Sequence, residues 1–260
     1  MFGAREVGNE HLHQLASERA ANGVQLPAPA RHSHHASHVA RIRRGERVTV
    51  VDGVGQALLC EMMEHDGDKV RLSVLERNHQ PAPPARITLL QAVPKGKLME
   101  VIIQKATELG VHRIVPLLSE RVVAQLDEAA ASRKAQKWRL VALEALKQCG
   151  SAWLPVVEIP LTPDQFLARQ ESFELPLIAS LEKGSRPARE CFSAFRSEHG
   201  RNPASACIWI GPEGDFTPAE TEAIKRHGVL PISLGRLVLR AETAAIYCLS
   251  MLHYELQPPG

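Results

Sequence analysis

The sequence predicts two units in tandem: a small antiparallel β unit, then an α/β domain built on a mostly parallel sheet. Three observations carry that expectation. Between Arg47 and Glu76, short β-rich runs (RVTVVDG, QALLCEMM, KVRLSVLE) follow one another across Asp52-Gly53-Val54-Gly55 and His65-Asp66-Gly67-Asp68, the pattern of a small antiparallel sheet or barrel. From Ile87 onward, apolar runs of strand length alternate with helical periods, which is the signature of an α/β layer fold. Between the two, His79–Ala85 (HQPAPPA) is proline-rich and reads as a linker. The expected organisation is therefore residues 1–78, a linker over 79–85, and a second domain over 86–260.

The totals set bounds. A chain of 260 residues is long enough for one large domain or two modest ones. A formal charge of +2 does not by itself demand a polyanionic partner, so a nucleic-acid reading must rest on local patches. Five scattered cysteines without CxxC spacing (Cys60, Cys149, Cys191, Cys207, Cys248) suggest reduced thiols rather than a disulfide framework or zinc site. No apolar run approaches a membrane span and the first residues lack a signal-peptide core, so the expectation is a soluble cytoplasmic protein.

Taken in order, residues 1–45 are polar, with a helix-compatible patch at Glu10–Ala21. The strip Arg31–Arg47 (RHSHHASHVARIRRGER) holds five arginines, four histidines and a single acid. Its HSHH lacks the rest of a metal ligand set, so no metal is expected. Phosphate contact through Arg41, Arg43 and Arg44 is the functional reading; a solvated basic face is the alternative. After the linker, Ile87–Val93 is a predicted strand. Gly96–Leu109 is a helix with Leu98, Val101, Ile102, Lys105, Ala106 and Leu109 near one face, and Gly110 closes it. Ile114–Leu118 is a strand, Ala129–Cys149 a long amphipathic helix, Leu175–Leu181 a strand and Ala188–Phe195 a short helix.

Two stretches complete the series. In Cys207–Ala219 (CIWIGPEGDFTPA), an apolar run stops at Gly211-Pro212, and Thr217-Pro218-Ala219-Glu220 supplies a capping hydroxyl, a proline at the first helical position and a back-bonding glutamate. Leu234–Ala245 (LGRLVLRAETAA) repeats the plan and enters a helix at Glu242–Leu256. A single glycine loop merely turns a chain; two such strand–loop–helix turns suggest a pocket at the carboxyl ends of parallel strands. Neither the dinucleotide fingerprint, the phosphate loop, the GxSxG elbow nor HExxH occurs.

The residues IGPEGDFTPAE and LGRLVLRAETA resemble the RsmE family of ribosomal RNA methyltransferases, members of the SPOUT class. HHASHVARIRRGERVTVVDG is similar to that family's N-terminal segment, and KGKLMEVIIQKATELGVHRIVPLLSERVV to the opening of its catalytic domain. The resemblance runs from about His34 to Leu252 and weakens over Asp164–Arg201. It implies an N-terminal PUA-like RNA-binding β-barrel, a C-terminal trefoil-knot α/β methyltransferase domain, and a homodimer. It also implies S-adenosylmethionine as methyl donor, and the N3 position of one uridine in 16S ribosomal RNA of the small ribosomal subunit as acceptor. No membrane or DNA partner is implied.

Carried over position by position, the donor site falls on Ser180 and Leu181, on Ile210, Gly211, Pro212, Glu213 and Gly214, and on Leu234, Gly235, Leu237, Leu239, Thr243 and Ala244. Arg240 and Glu242 are the candidate catalytic residues, although a first-turn Glu242 reads first as a helix-start residue that favours the dipole and caps free N–H groups. Arg41 and Arg121 match family positions that suggest RNA contact, with ion pairing the alternative for Arg121. The chain departs from the family at Leu237, where arginine is usual; at Asp215, where glycine is frequent; and at Lys147 and Ser151. A SPOUT enzyme acting on another RNA, such as a transfer-RNA ribose hydroxyl, and a non-catalytic RNA-binding module remain the competing readings.

Overall fold

The computed structural model describes residues 5–8, 24–27, 43–66, 69–121, 127–182 and 184–256. The Glu10–Ala21 patch, Arg41 and most of the basic strip lie outside the described residues. The chain divides into two compact units, Met1–Ala82 with Leu146–Leu154, and Pro83–Ala145 with Pro155–Gly260.

The first unit carries β1 (Arg5–Gly8), β2 (Val24–Pro27), β3 (Arg47–Val51), β4 (Gln56–Asp66) and β5 (Lys69–His79) in one sheet of order β1-β3-β4-β5-β2. The pairings β3–β4, β4–β5 and β2–β5 are antiparallel, and β1–β3 is parallel. Alternation along β3, β4 and β5 sends Val48, Val50, Cys60, Met62, Val70 and Leu72 to one apolar cluster. At the β3–β4 turn, Asp52 Oδ1 accepts from Val54 N (2.8 Å) and Gln56 N (2.9 Å). Gly55 has φ +105°, and a Cβ there would stand 2.7 Å from the Trp153 ring. Trp153 reaches this unit from far along the chain, and its Nε1 donates to Gln80 O (3.1 Å).

The second unit contains β6 (Arg86–Ala92), α1 (Leu98–Glu108), β7 (Arg113–Leu117), most of α2 (Glu128–Cys149), β8 (Val156–Val157), α3 (Pro163–Leu167), β9 (Leu175–Ala179), β10 (Arg186–Pro187), α4 (Ala188–His199), β11 (Ser205–Ile210), α5 (Pro218–Arg226), β12 (Leu230–Ser233) and α6 (Ala241–Leu256). Its seven-stranded sheet has the order β10-β12-β9-β11-β6-β7-β8, with every neighbouring pair parallel. Central strands are buried on both faces, as parallel sheets require. Cys207 and Trp209 of β11 face a cluster with Phe166, Phe216 and Ile224, while the alternate residues Ala206, Ile208 and Ile210 are buried on the opposite face. Helix α6 packs against α1, β6 and β11. Among the described residues no helix is long and apolar enough to cross a membrane.

Several elements differ from expectation in detail. The buried face of α1 is Met99, Ile102, Ile103, Ala106 and Thr107, whereas Val101 is exposed and Lys105 pairs with Glu108. The i, i+3, i+4, i+7 series therefore starts one residue later than Leu98, because Met99 is the side chain that reaches the core. The strand predicted to run to Leu181 ends at Ala179, and the helix from Ala188 continues to His199 before Gly200 caps it in the left-handed conformation (φ +66°). Helix α3, opened by a Thr162–Gln165 capping box, and the two-residue strands β8 and β10 had no sequence reading.

Candidate active site

The parallel neighbours β12, β9 and β11 bring three loops to one edge of the sheet, where their carboxyl ends open into a cleft of about 460 Å³. That volume lies within the usual range for small-molecule sites, roughly 300–1,000 Å³. The loop after β9 contributes Ser180 and Leu181; the loop after β11 contributes Gly211, Pro212 and Glu213; the loop after β12 contributes Leu234 to Arg240.

Each loop is held by its own chemistry. After β9, Ser180 N donates to Ile232 O (3.0 Å), tying the loop to β12, and Ser180 Oγ accepts from Glu182 N (3.2 Å). After β11, the turn closes where Asp215 N donates to Pro212 O (2.9 Å). Asp215 sits at φ +60°, a conformation that Asp tolerates better than most side chains, and its Oδ1 accepts from Phe216 N (2.8 Å). A side chain at Gly211 would force the turn to shift: a Cβ would stand 2.6 Å from Asp215 Oδ1 and 3.1 Å from Asp215 Cα and Phe216 N. The loop then enters α5 through a full capping box, Glu220 N to Thr217 Oγ1 (3.3 Å) and Thr217 N to Glu220 Oε2 (2.8 Å). After β12, Gly235 takes φ +117° and donates from N to Ser233 Oγ (3.3 Å). Ala244 N donates to Arg240 O (2.8 Å), which places Arg240 at the mouth of α6.

The loop after β11 is also braced from the other side of the sheet. Glu213 Oε1 accepts from Lys95 N (3.0 Å), beyond β6. Beyond β7, Arg121 Nη1 donates to Gly214 O, and Glu220 Oε1 accepts from Glu120 N (2.9 Å). Side chains at three positions thus join loops about a hundred residues apart in sequence.

Electrostatically the cleft is mixed. Glu182, Glu213 and Asp215 line it together with Arg236 and Arg240. Burial pushes the Asp215 carboxyl above its ordinary value, with the Phe216 N–H and the Arg121 charge opposing that rise. Glu182 pairs with Lys225. The walls include apolar side chains that stand open to solvent: Leu237 is 78%, Val238 76% and Leu181 64% exposed. Exposed apolar surface of this kind marks interaction sites and ligand-binding grooves.

Of the residues singled out from sequence, Ser180, Leu181, Ile210, Gly211, Pro212, Glu213, Leu234, Gly235, Leu237, Leu239, Arg240 and Ala244 line this one cleft. Gly214 lies just behind it, under Arg121. Glu242 and Thr243 fall in the first turn of α6, outside the lining. Arg43 and Arg44 are exposed residues of the first unit. Glu182, Ser233, Arg236, Val238 and Ala241 line the cleft without having been singled out as site residues. They flank the motif positions in the same loops, so a reading of whole loops rather than motif letters would have included them.

Comparison with known proteins places this geometry among relatives. The model of an RNA methyltransferase domain matches residues 81–253. The ribosomal RNA small subunit methyltransferase E of Bacillus subtilis is 32% identical over 225 residues, covering 86% of this chain and 88% of that protein. The protein of the same name from Aquifex aeolicus is 28% identical over 242 residues, covering 93% and 99% of the two chains. Among solved structures, one from Legionella pneumophila with SAM bound as cofactor superposes with a TM-score of 0.82 at 29% identity, covering 97% of this chain and 98% of that one.

Proposed function

We propose a function from one premise: the chain belongs to the ribosomal RNA small subunit methyltransferase E family. Its reaction is methylation of the N3 position of a specific uridine in 16S ribosomal RNA of the small ribosomal subunit, with S-adenosylmethionine as donor. The observation that carries this reading is the coincidence of the family match with the cleft, because the two glycine loops that bear the family's residues are the loops that line it.

The residues fit the donor. A cleft of about 460 Å³ walled by loop backbone and apolar side chains suits an adenosine, and the carboxylates Glu182, Glu213 and Asp215 suit a cationic ligand. Gly211 and Gly235 let the backbone approach closely where a side chain would intrude or strain the loop. When bound, S-adenosylmethionine supplies an electrophilic methyl group. The loops after β9, β11 and β12 hold and orient it, and alignment with the acceptor nitrogen is their main contribution to rate. The uridine N3 proton must leave or its anion be stabilised; Arg240, exposed at the mouth of α6, is the group that stabilises negative charge there. Glu242 acts first on its helix, where a first-turn carboxylate favours the dipole.

The organisation that goes with this reading is a PUA-like RNA-binding barrel over residues 1–78, a linker over 79–85, and a knotted SPOUT domain over 86–260. Arg41, Arg43, Arg44 and Arg121 serve as RNA contacts, and the enzyme works in the cytoplasm as a homodimer. The exposed Tyr247 and Tyr254, seven residues apart on one face of α6, favour a partner on that face. The test is mass analysis of small-subunit RNA from a strain lacking this gene. One uridine should lose its base methyl group and regain it on complementation, and an unchanged methyluridine profile overturns the proposal.

A further inference from the structure

The turn between β6 and α1, Pro94-Lys95-Gly96-Lys97, is held in place by its backbone, while its two ammonium groups make no ion pair among the described residues. Val93 N donates to Leu117 O (2.9 Å) on one side, and Glu100 N to Lys97 O (3.0 Å) on the other. Between them Lys95 N donates to Glu213 Oε1 (3.0 Å), a carboxylate of the cleft lining. Gly96 supports the bend at φ +67°. Pro94 is buried, but both lysines are exposed.

What the lysine side chains touch is informative. Among the described residues neither ammonium has a carboxylate partner, although Lys105, Lys137 and Lys225 each have one. The acid close in sequence to the turn, Glu100, is taken by Lys137. Glu213, which could have neutralised Lys95, spends an oxygen on the Lys95 backbone instead. Two cations one residue apart on a pinned turn repel each other, and the arrangement is relieved by an anion supplied from outside. The turn borders the loop that lines the cleft, so that anion belongs to whatever is brought to the cleft from this side.

We infer that Lys95 and Lys97 hold backbone phosphates of the RNA strand that delivers the acceptor base, and that Glu213 is the positioning residue that sets their turn against the donor loop. This rests on the methyltransferase reading above for the identity of the strand. It gives Glu213 a task that links the two substrates: one carboxylate shapes the cleft wall and fixes the phosphate-holding turn. A phosphodiester rather than a free carboxylate metabolite is the matching anion, because two separated charges along an exposed rim suit successive phosphates.

The experiment uses the full chain, purified small-subunit RNA and S-adenosylmethionine. For Lys95→Ala/Lys97→Ala, donor affinity by calorimetry should stay at the wild-type value, while KM for RNA rises and kcat holds. The plot of log affinity for RNA against log salt should flatten by about 1.4, the loss of two single-strand phosphate contacts at roughly 0.7 each. Glu213→Ala should raise KM for RNA with both lysines still present. Glu213→Gln, whose amide oxygen can still accept from Lys95 N, should bring KM back toward wild type. An unchanged salt slope and KM in the double-lysine variant overturns the inference, and a Glu213→Ala variant with wild-type KM removes the positioning role. A wild-type protein that shows the lysine-dependent slope yet transfers no methyl group supports this surface and sinks the enzymatic reading on which the strand's identity depends.

Discussion

Gly211→Ala is the sharpest probe of the cleft, because the structure says what the added carbon meets. Its Cβ would lie 2.6 Å from Asp215 Oδ1 and 3.1 Å from both Asp215 Cα and Phe216 N. Two of the three contacts are backbone, so the turn itself has to move. Overpacking of this kind costs about 1–3 kcal/mol. If the loop relaxes out of its binding shape, donor affinity falls by about fivefold to a hundredfold, at about 1.4 kcal/mol per factor of ten. Gly235→Ala differs in mechanism: nothing stands within 4 Å, and its cost is that of forcing a side chain to φ +117°, about 1–3 kcal/mol. The mechanisms separate in a double-mutant cycle. Asp215→Gly removes the atom at 2.6 Å and relieves φ +60°, while giving up the bond to Phe216 N; these opposing effects are each on the order of 1 kcal/mol, so the single variant should be near neutral. Added to Gly211→Ala it should restore part of the lost affinity, with a coupling of about 1 kcal/mol. Added to Gly235→Ala it should restore none. Calorimetric titration of S-adenosylmethionine reads the wild type and all five variants. Strict additivity between positions 211 and 215 would refute the steric account.

Three further outcomes follow from the same site. Because burial raises the Asp215 carboxyl above its ordinary 3.8, the fold penalises its charge: its contribution to stability is intact below that value and is lost as pH rises through the raised one. Asp215→Asn should therefore gain thermal stability relative to wild type as pH climbs to neutrality and show no such gain in acid, and a pH-independent difference in midpoint would contradict this. Thr217→Ala removes the capping hydroxyl of α5 and should cost about 1 kcal/mol, seen as a fall in Tm of about 2–4 °C. Arg240→Ala should lower kcat by about a hundredfold with little change in Tm, since the residue is exposed; Glu242→Gln should do the reverse, costing about 0.3–1 kcal/mol through the helix dipole and leaving the rate alone.

Local signals in the chain proved readable where the physics is local. Thr217-Pro218 with Glu220 three residues after the cap announces a helix start, and the helix begins at Pro218 with both capping bonds made. The Ala206–Ile210 run is fully apolar and the Ile87–Val93 run apolar but for the buried Thr88 and Gln91, because both faces of a parallel strand are covered, and they sit side by side as β11 and β6. What could not be read depends on partners distant in sequence. Gln80 lies in the stretch that reads as a linker, yet its amide donates to Gly150 O (3.1 Å) and accepts from Ala152 N (2.7 Å), so Leu146–Leu154 belongs with the first unit. Composition marks His79–Ala85 as irregular; it cannot say that an irregular segment is pinned. Short elements escaped for a related reason, since β8 and β10 are two residues each and have no period to detect.

The same distinction explains why Glu213 was legible as a loop residue and illegible as a latch. From sequence it is one letter of a glycine-rich motif beside a donor pocket. In the fold its carboxylate reaches back 118 residues to Lys95 N, as Glu220 reaches back to Glu120 N and Arg121 reaches forward to Gly214 O. A loop held only by its own glycines would be free to rearrange; these three bonds attach it to the ends of β6 and β7. Glycine therefore supplies the shape of the wall and distant side chains supply its rigidity. A pocket made largely of backbone atoms can orient a ligand only if both are present. The charged letters of the motif are thus committed to architecture, and among the described cleft residues Arg236 and Arg240 are the cations that stand outside that brace.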